Sequence, residues 1–162
     1  MARVAATRVS RQAGSARATL PTLVDAVKAL AHPGRLRMLA MLRDGDLCVC
    51  QMTAVLELAA STVSSHLSDL RRAGIVTERK SGKWVHYHLV DAGPLAELVR
   101  QALGLVDDDD RLRQDARVVD ALRRIPLDTF CSTGFDRAAA GVPHRSAAKR
   151  ARSSPSTNRR RA

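Results

Sequence analysis

The sequence has few aromatic residues and no long apolar segment. Of its 162 residues, one is Trp, one is Tyr and two are Phe, so we expect a core built from Leu, Val, Ala and Met. No run of about 18 apolar residues occurs, and we therefore predict no membrane span. The Arg-rich start also lacks the apolar segment of roughly 7 to 15 residues that a secretory signal requires. We expect a cytoplasmic protein with no membrane partner.

Cysteine and catalytic signatures are scarce as well. Three cysteines, an odd number, do not make a disulfide framework, and in a reducing compartment a close pair is more typical of a metal or redox site. There is no Gly-rich phosphate loop of known spacing, and no arrangement of Ser, His and Asp that would form a nucleophilic triad. We predict no catalytic residue and no organic cofactor, and hence that the protein is not an enzyme.

Positive charge is abundant, but it is confined to the two ends of the chain. The formal net charge is +11, and residues 1–20 and 137–162 together carry twelve Lys or Arg and no acidic residue. Their composition predicts two disordered basic tails, because such segments bury too little apolar surface to offset the entropy of ordering. The remaining 116 residues, 21–136, carry 15 basic and 16 acidic side chains. They suit one small domain that oligomerisation would help to stabilise.

Apolar periodicity predicts six helices and one hairpin in this domain. The helices are expected over 22–31, 33–43, 50–58, 62–73, 94–103 and 108–125. Ser61 is the expected N-cap of the fourth helix and Gly74 its C-cap. Two strand-like runs, 75–79 and 83–90, predict a β-hairpin. The last two amphipathic helices have little to pack on in so small a domain, so they are candidates for a dimer interface.

The third and fourth helices have the order of a helix-turn-helix. Short hydroxyl side chains near the start of the fourth helix suit close approach to base edges and phosphates in a major groove. Basic residues at its end and in the hairpin could neutralise phosphates. The alternative is a Ser-rich surface helix beside a solvated basic turn. The predicted DNA-contacting residues are Ser61, Thr62, Ser64, Ser65, His66, Ser68, Arg71, Arg79, Lys80 and Lys83.

Cys48 and Cys50 lie one residue apart at the start of the third helix. Two thiolates suit a soft, thiophilic ion. Residues i and i+2 point to nearly opposite sides of a regular helix, so joint chelation requires Cys48 to stay outside the helix or the first turn to distort. Such a change would alter the packing of the DNA-reading helix that follows.

Four motifs in these segments resemble, in order and spacing, the ArsR/SmtB family of winged-helix repressors. They are ALAHPGRLR at 29–37, LCVC at 47–50, STVSSHL at 61–67 and GKWVHYHL at 82–89. The resemblance implies a mainly α fold with a β-hairpin wing, which forms a homodimer, binds double-stranded operator DNA and leaves it when a toxic ion binds. Residues 21–106 would form the winged helix-turn-helix and dimerisation domain, and 107–136 a C-terminal helix with the Cys131 segment.

Within this family, Cys48-Val49-Cys50 resembles the site of arsenic repressors, which implies As(III), and also Sb(III), as the inducer. The third Cys that often follows three residues later is Thr53 here. Cys131 is the remaining thiol, and it becomes the third ligand if the C-terminal segment folds back over the third helix of the same or the other subunit. Otherwise it is a small residue in a loosely ordered segment.

Other effectors are weighed by what the sequence lacks. Family members that sense cadmium or lead add N-terminal cysteines, and residues 1–47 contain none. Members that sense zinc use Asp and His pairs after the wing, where residues 91–103 contain no His. The open alternatives are a thiol-redox or sulfide-responsive repressor of the same fold, a Cd/Pb sensor, and a thiol-dependent enzyme or metal-sequestering protein.

We expect removal of both basic tails to weaken DNA binding without changing operator choice. The tails can supply only sequence-independent phosphate contacts, so the slope of log K against log salt should also become shallower. Anisotropy titrations of operator and scrambled DNA at several salt concentrations measure both quantities. Loss of discrimination between the two DNAs would show that the tails read sequence.

Overall fold

The computed structural model describes residues 17–132, together with Gly134 and Ala138. These residues form seven helices and three strands. In chain order they are α1 (Leu20–Leu30), α2 (Pro33–Met41), β1 (Leu47–Cys48), α3 (Val49–Leu56), α4 (Ala60–Arg72), β2 (Val76–Ser81), β3 (Trp84–Leu89), α5 (Pro94–Gly104), α6 (Asp110–Arg123) and α7 (Leu127–Ser132). None of the described helices is long and apolar enough to cross a bilayer.

The first helix begins two residues earlier than its apolar pattern predicted. Thr19 is its N-cap, and the Thr19 side chain accepts a hydrogen bond from the backbone N–H of Thr22. Leu20 therefore belongs to α1 and not to a tail. Apart from 17–20 and 138, the predicted tails lie outside the described residues.

The core is aliphatic, as expected, with the exception of one aromatic ring. Its largest fully buried side chains are Phe130, Met38, Leu39, Leu47, Met52, Leu67, Leu70, Ile75, Leu103, Leu122, Val55 and Val63. Phe130 comes from α7, which the apolar pattern did not predict. The C-terminal end of the described chain is therefore attached to the same core as the helix-turn-helix.

The predicted hairpin is present and gains a third strand. β2 and β3 pair antiparallel from Val76 opposite Leu89 to Ser81 opposite Trp84. Gly82 turns the chain at φ +59, a conformation that glycine adopts without a Cβ clash. β1 pairs with the other edge of β3, so the strand order is β1-β3-β2. β1 was not predicted because two residues are too few to show the alternation of apolar and polar residues that indicates a strand.

The helix-turn-helix is formed by α3 and α4, with one correction to its capping. The N-cap of α4 is Ala59, whose carbonyl oxygen accepts hydrogen bonds from the N–H groups of Thr62 and Val63. Ser61 lies in the first helical turn, so its prediction as N-cap was wrong. Gly74 follows the C-cap residue at φ +71, the left-handed conformation common after helix ends.

The prediction that the last two helices have little to pack on was wrong. α6 packs against α2 and α3 and buries Val119 and Leu122. α5 buries Ala96, Val99 and Leu103. An exposed apolar face occurs instead on α1, where it is formed by Leu20, Leu23, Val24 and Val27.

A buried ion pair joins α6 to α2. Nε and Nη2 of Arg37 donate to the two carboxylate oxygens of Asp115 over 2.6 and 2.8 Å. The Arg37 side chain is 12% exposed and that of Asp115 only 3%. Removing one member of a buried pair leaves the other charge desolvated and unpaired.

We therefore expect Asp115→Ala to lower the free energy of unfolding by about 3–5 kcal/mol. Urea unfolding monitored by circular dichroism measures the change. Asp108→Ala is the matched control, because Asp108 also pairs with an arginine, Arg113, but is fully exposed. Equal effects of the two substitutions would contradict the structural role assigned to the buried pair.

Candidate thiol centre and nucleic-acid interface

Cys48 occupies the junction between the sheet and α3. It is the last residue of β1, opposite His86 of β3, and also the N-cap of α3. Its backbone is extended, with φ −89 and ψ 164. Cys48 therefore lies outside the helix. This is one of the two arrangements that would let Cys48 and Cys50 bind the same ion.

Gln51 fixes the backbone at this junction. Its side chain is buried, and its Oε1 accepts a hydrogen bond of 3.0 Å from the N–H of Cys48. Gln51 was not among the predicted site residues. Gln three residues after an N-cap is half of a capping box, and this pattern would have identified it.

The three cysteines converge within one chain. Cys48 and Cys50 are joined as a disulfide with Cα atoms 5.5 Å apart. Sγ of Cys131 lies 3.0 Å from Sγ of Cys50, across 81 positions of sequence. Cys48 and Cys50 are buried and Cys131 is partly exposed. We call Cys48, Cys50 and Cys131 the thiol cluster.

The thiol cluster could hold a soft ion only in its reduced form. Sulfurs bonded to each other cannot act as thiolate ligands, and in the described part of the chain no group of three or more His, Cys, Asp or Glu stands ready to hold a metal ion. Once the disulfide is reduced, three soft donors are available at one place, which suits a thiophilic ion and not a hard one.

Cys131 is held beside Cys50 by α7. Phe130, the preceding residue, is 1% exposed. Burial raises the pKa of the Cys131 thiol above its ordinary value, the carboxylate of Asp128 raises it further, and the ammonium of Lys83 opposes both. Asp128 and Lys83 themselves form an ion pair of 2.5 Å. Asp128 was not identified from sequence, because no local pattern connects it to the wing.

The exposed face of α4 carries all five of the predicted hydroxyl residues. Its buried side is formed by Val63, Leu67 and Leu70. The exposed predicted residues are Ser61, Thr62, Ser64, Ser65 and Ser68. These side chains stand free of the core on the second helix of a helix-turn-helix, the position from which base edges are read.

Three of the four predicted phosphate-binding cations have acidic partners. Arg71 pairs with Glu78 over 2.5 Å, Arg79 with Asp46 over 2.8 Å, and Lys83 with Asp128. Lys80 has no ion pair within the described residues. Surface pairs of this kind contribute about 0–1 kcal/mol, so phosphates can displace the carboxylates.

His66 differs from the other predicted DNA-contacting residues because its ring packs inward. It is half-buried, and its ring centroid lies 4.4 Å from that of His32, the N-cap of α2. Burial lowers the pKa of His66, and His32 and the guanidinium of Arg35 lower it further, while Asp69 opposes the shift. The structure therefore places His66 between α4 and α2 and not on the open hydroxyl face.

This arrangement defines a winged helix-turn-helix protein, and comparison with known sequences identifies its family. Residues 32–78 match the family described as "Bacterial regulatory protein, arsR family". An uncharacterized HTH-type transcriptional regulator of Methanocaldococcus jannaschii is 39% identical over 82 residues, which cover 50% of this chain and 86% of that protein. The chain belongs to the arsR family of bacterial regulatory proteins.

Two further relatives indicate how far the similarity extends. The arsenic resistance transcriptional regulator ArsR1 of Pseudomonas putida is 49% identical over 63 residues, which cover 38% of this chain and 49% of that protein. The match thus spans about half the length of that relative. The crystal structure of the transcriptional repressor BigR from Xylella fastidiosa aligns with a TM-score of 0.50 at 28% identity, covering 56% of this chain and 88% of that one.

We expect His66 to titrate below its ordinary pKa of 6.5. Because the fold favours the neutral ring, its contribution to stability is complete above about pH 6.5 and is lost as the pH falls through the lowered pKa. A proton NMR titration measures this pKa. In His32→Asn, which keeps an N-cap side chain, the pKa of His66 should rise because the electrostatic contribution by which His32 lowers it is removed. A value at or above 6.5 in the unmodified protein would contradict the packing of His66.

Proposed function

We propose that the protein is a homodimeric transcriptional repressor that releases operator DNA when As(III), and also Sb(III), binds Cys48, Cys50 and Cys131. The observation that carries this proposal is the convergence of three sulfurs at the start of α3. Two relatives named for arsenic resistance, from Pseudomonas putida and Escherichia coli, support arsenic as the inducer.

The donor set favours a trivalent thiophilic ion. Cys48 and Cys50 provide two thiolates from the β1–α3 junction, and Cys131 provides the third from α7 of the same chain. The contact of Cys131 with Cys50 in the same chain supports a ligand in cis, for which no second subunit is needed. It replaces the local third cysteine that is Thr53 here. When bound, the ion would supply three bonds that hold α7 to the start of α3.

The position of the thiol cluster connects ion binding to DNA binding. α3 packs directly against α4, and Cys48 is also paired with the wing strand β3. Any shift of the first turn of α3 therefore reaches both elements that would contact DNA. The ion must bind more tightly to the DNA-free conformation, and couplings of this type are typically 1–3 kcal/mol, or about 5- to 150-fold in affinity.

A second copy of the chain would complete the DNA-binding unit. The exposed apolar face of α1 is formed by Leu20, Leu23, Val24 and Val27, and Leu105 is exposed after α5. Paired across a twofold axis, these surfaces would become buried and the two α4 helices would reach half-sites about 34–36 Å apart. This assigns the dimer contact chiefly to α1, whereas the sequence had indicated α5 and α6.

The disulfide also favours a second function, that of a thiol-redox repressor. Oxidation of the Cys48 and Cys50 thiols by a peroxide would remove two electrons and two protons, which the peroxide takes up as it is reduced to water. The same first turn of α3 would respond. This alternative predicts release by peroxide without any metal.

We expect arsenite to release the reduced protein from its operator and Cys50→Ser to stay bound at the same arsenite concentration. Cys131→Ser should respond weakly, because two thiolates remain. Thr53→Cys in the Cys131→Ser background should restore the response. Thr53 lies one turn after Cys50 on α3, and its Oγ1 is buried with no hydrogen-bond partner in the described part of the chain.

Fluorescence anisotropy of labelled operator DNA measures how much protein arsenite releases. All variants are compared in reductant and at one fixed salt concentration. Arsenite release of Cys50→Ser would show that the proposed site is wrong. Release of the reduced wild-type protein by peroxide but not by arsenite would favour the redox function, and cadmium or lead in place of arsenite tests the remaining effectors.

A further inference from the structure

α7 connects the thiol cluster to the wing. At one end, Sγ of Cys131 lies 3.0 Å from Sγ of Cys50. Near the other, Oδ1 of Asp128 lies 2.5 Å from Nζ of Lys83, in the turn between β2 and β3. Between them, Phe130 is buried in the core. One short helix thus contacts both the proposed effector site and a proposed DNA-contacting residue.

The position of α7 depends on these contacts. A helix of six residues is too short to be stable by itself. Its anchors in the described structure include the ring of Phe130, the sulfur of Cys131 and the carboxylate of Asp128, and Leu127 also packs against the core. Strengthening any one of them shifts the helix toward its docked position, and weakening any one shifts it away.

The carboxylate of Asp128 competes with a DNA phosphate for the ammonium of Lys83, because it neutralises the ammonium and repels a second anion. The Lys83 ammonium lies 5.0 Å from the centroid of the Trp84 ring and pairs with Asp128. The side chains of Lys83 and Asp128 are 66% and 73% exposed. An exposed pair is weak enough for a DNA phosphate to replace the carboxylate, but while the pair is present it lowers the affinity of Lys83 for a phosphate.

We propose that α7 is an inhibitory segment that withholds Lys83 from DNA through Asp128, and that ligand binding at Cys131 strengthens this inhibition. The second part rests on the proposed function. An ion bound to Cys131 and Cys50 holds α7 to α3 and keeps Asp128 at Lys83. Conversely, a phosphate at Lys83 removes one anchor of α7 and weakens effector binding, because coupling between two sites is reciprocal.

The first experiment tests the contact without any effector. Asp128→Asn removes the carboxylate charge and leaves Lys83 and all three cysteines in place. Asp108→Asn is the matched control, since it removes the same charge from an exposed pair, with Arg113, on another element. Operator affinity of the reduced full-length protein is measured by anisotropy. We expect Asp128→Asn to bind more tightly than the control by about two- to five-fold for each of the two Lys83–Asp128 pairs of the dimer, and equal affinities would overturn the inhibitory contact.

The second experiment measures how many phosphate contacts the effector removes. Each phosphate contact contributes about 0.9 to the slope of log K against log salt. Arsenite should therefore lower the slope by about 0.9 per subunit, or about 1.8 for the dimer, more in the Asp108→Asn control than in Asp128→Asn. The same decrease in both variants would overturn the coupling through α7.

The two proposals fail in distinguishable ways. Arsenite binding is followed separately, by ultraviolet absorbance of the arsenic–thiolate bonds. If Asp128→Asn binds arsenite and is released as readily as the control, the α7 coupling is wrong and the arsenite-responsive repressor stands. If the reduced wild-type protein binds no arsenite, the proposed function and the coupling both fail, while the affinity comparison without effector still decides the inhibitory contact.

Discussion

The backbone of Cys48 is shared by the wing, the helix-turn-helix and the thiol cluster. Its pairing with His86 completes the short edge strand of the sheet, and its N–H is held by the buried amide of Gln51. The same residue caps α3, which packs on α4. A displacement of this one position must therefore disturb strand pairing, helix capping and packing together. Packed interiors respond to such a disturbance by changing between discrete arrangements and not by gradual deformation.

Electrostatics around the DNA-facing surface depends on competition between carboxylates and phosphates. Residues 21–90 carry a net charge of only +3 and residues 91–136 carry −4. The cations of the wing and of the end of α4 pair with acids in the free chain, as Arg71 does with Glu78 and Arg79 with Asp46. These exposed partners cost DNA little binding energy. An acidic residue that moves with an effector site can change the number of cations available to DNA.

Local patterns predicted most of the elements and few of their contacts. The six helices and the hairpin were found because apolar spacing and the turn at Gly82 are properties of neighbouring residues. β1 and α7 were missed because two and six residues are too few for a period to be recognised. Ser61 was assigned as an N-cap by residue type, but the carbonyl of Ala59 begins the helix. The burial of α6 against α2 was not predicted, because the ion pair of Arg37 with Asp115 joins residues 78 positions apart.

The sequence by itself determined the winged helix-turn-helix class, the hydroxyl-rich face of α4 and the close pair of soft donors at Cys48 and Cys50. These features depend on spacing within one element or on ordered motifs, so they can be read along the chain. Only the tertiary structure decided that Cys131 meets Cys50, that His66 packs on His32, and that Asp128 reaches Lys83. Each of these contacts joins separate elements. These residues are close together because the burial of apolar surface, including the ring of Phe130, folds the chain back on itself. Patterns among neighbouring residues do not show which distant segments will meet.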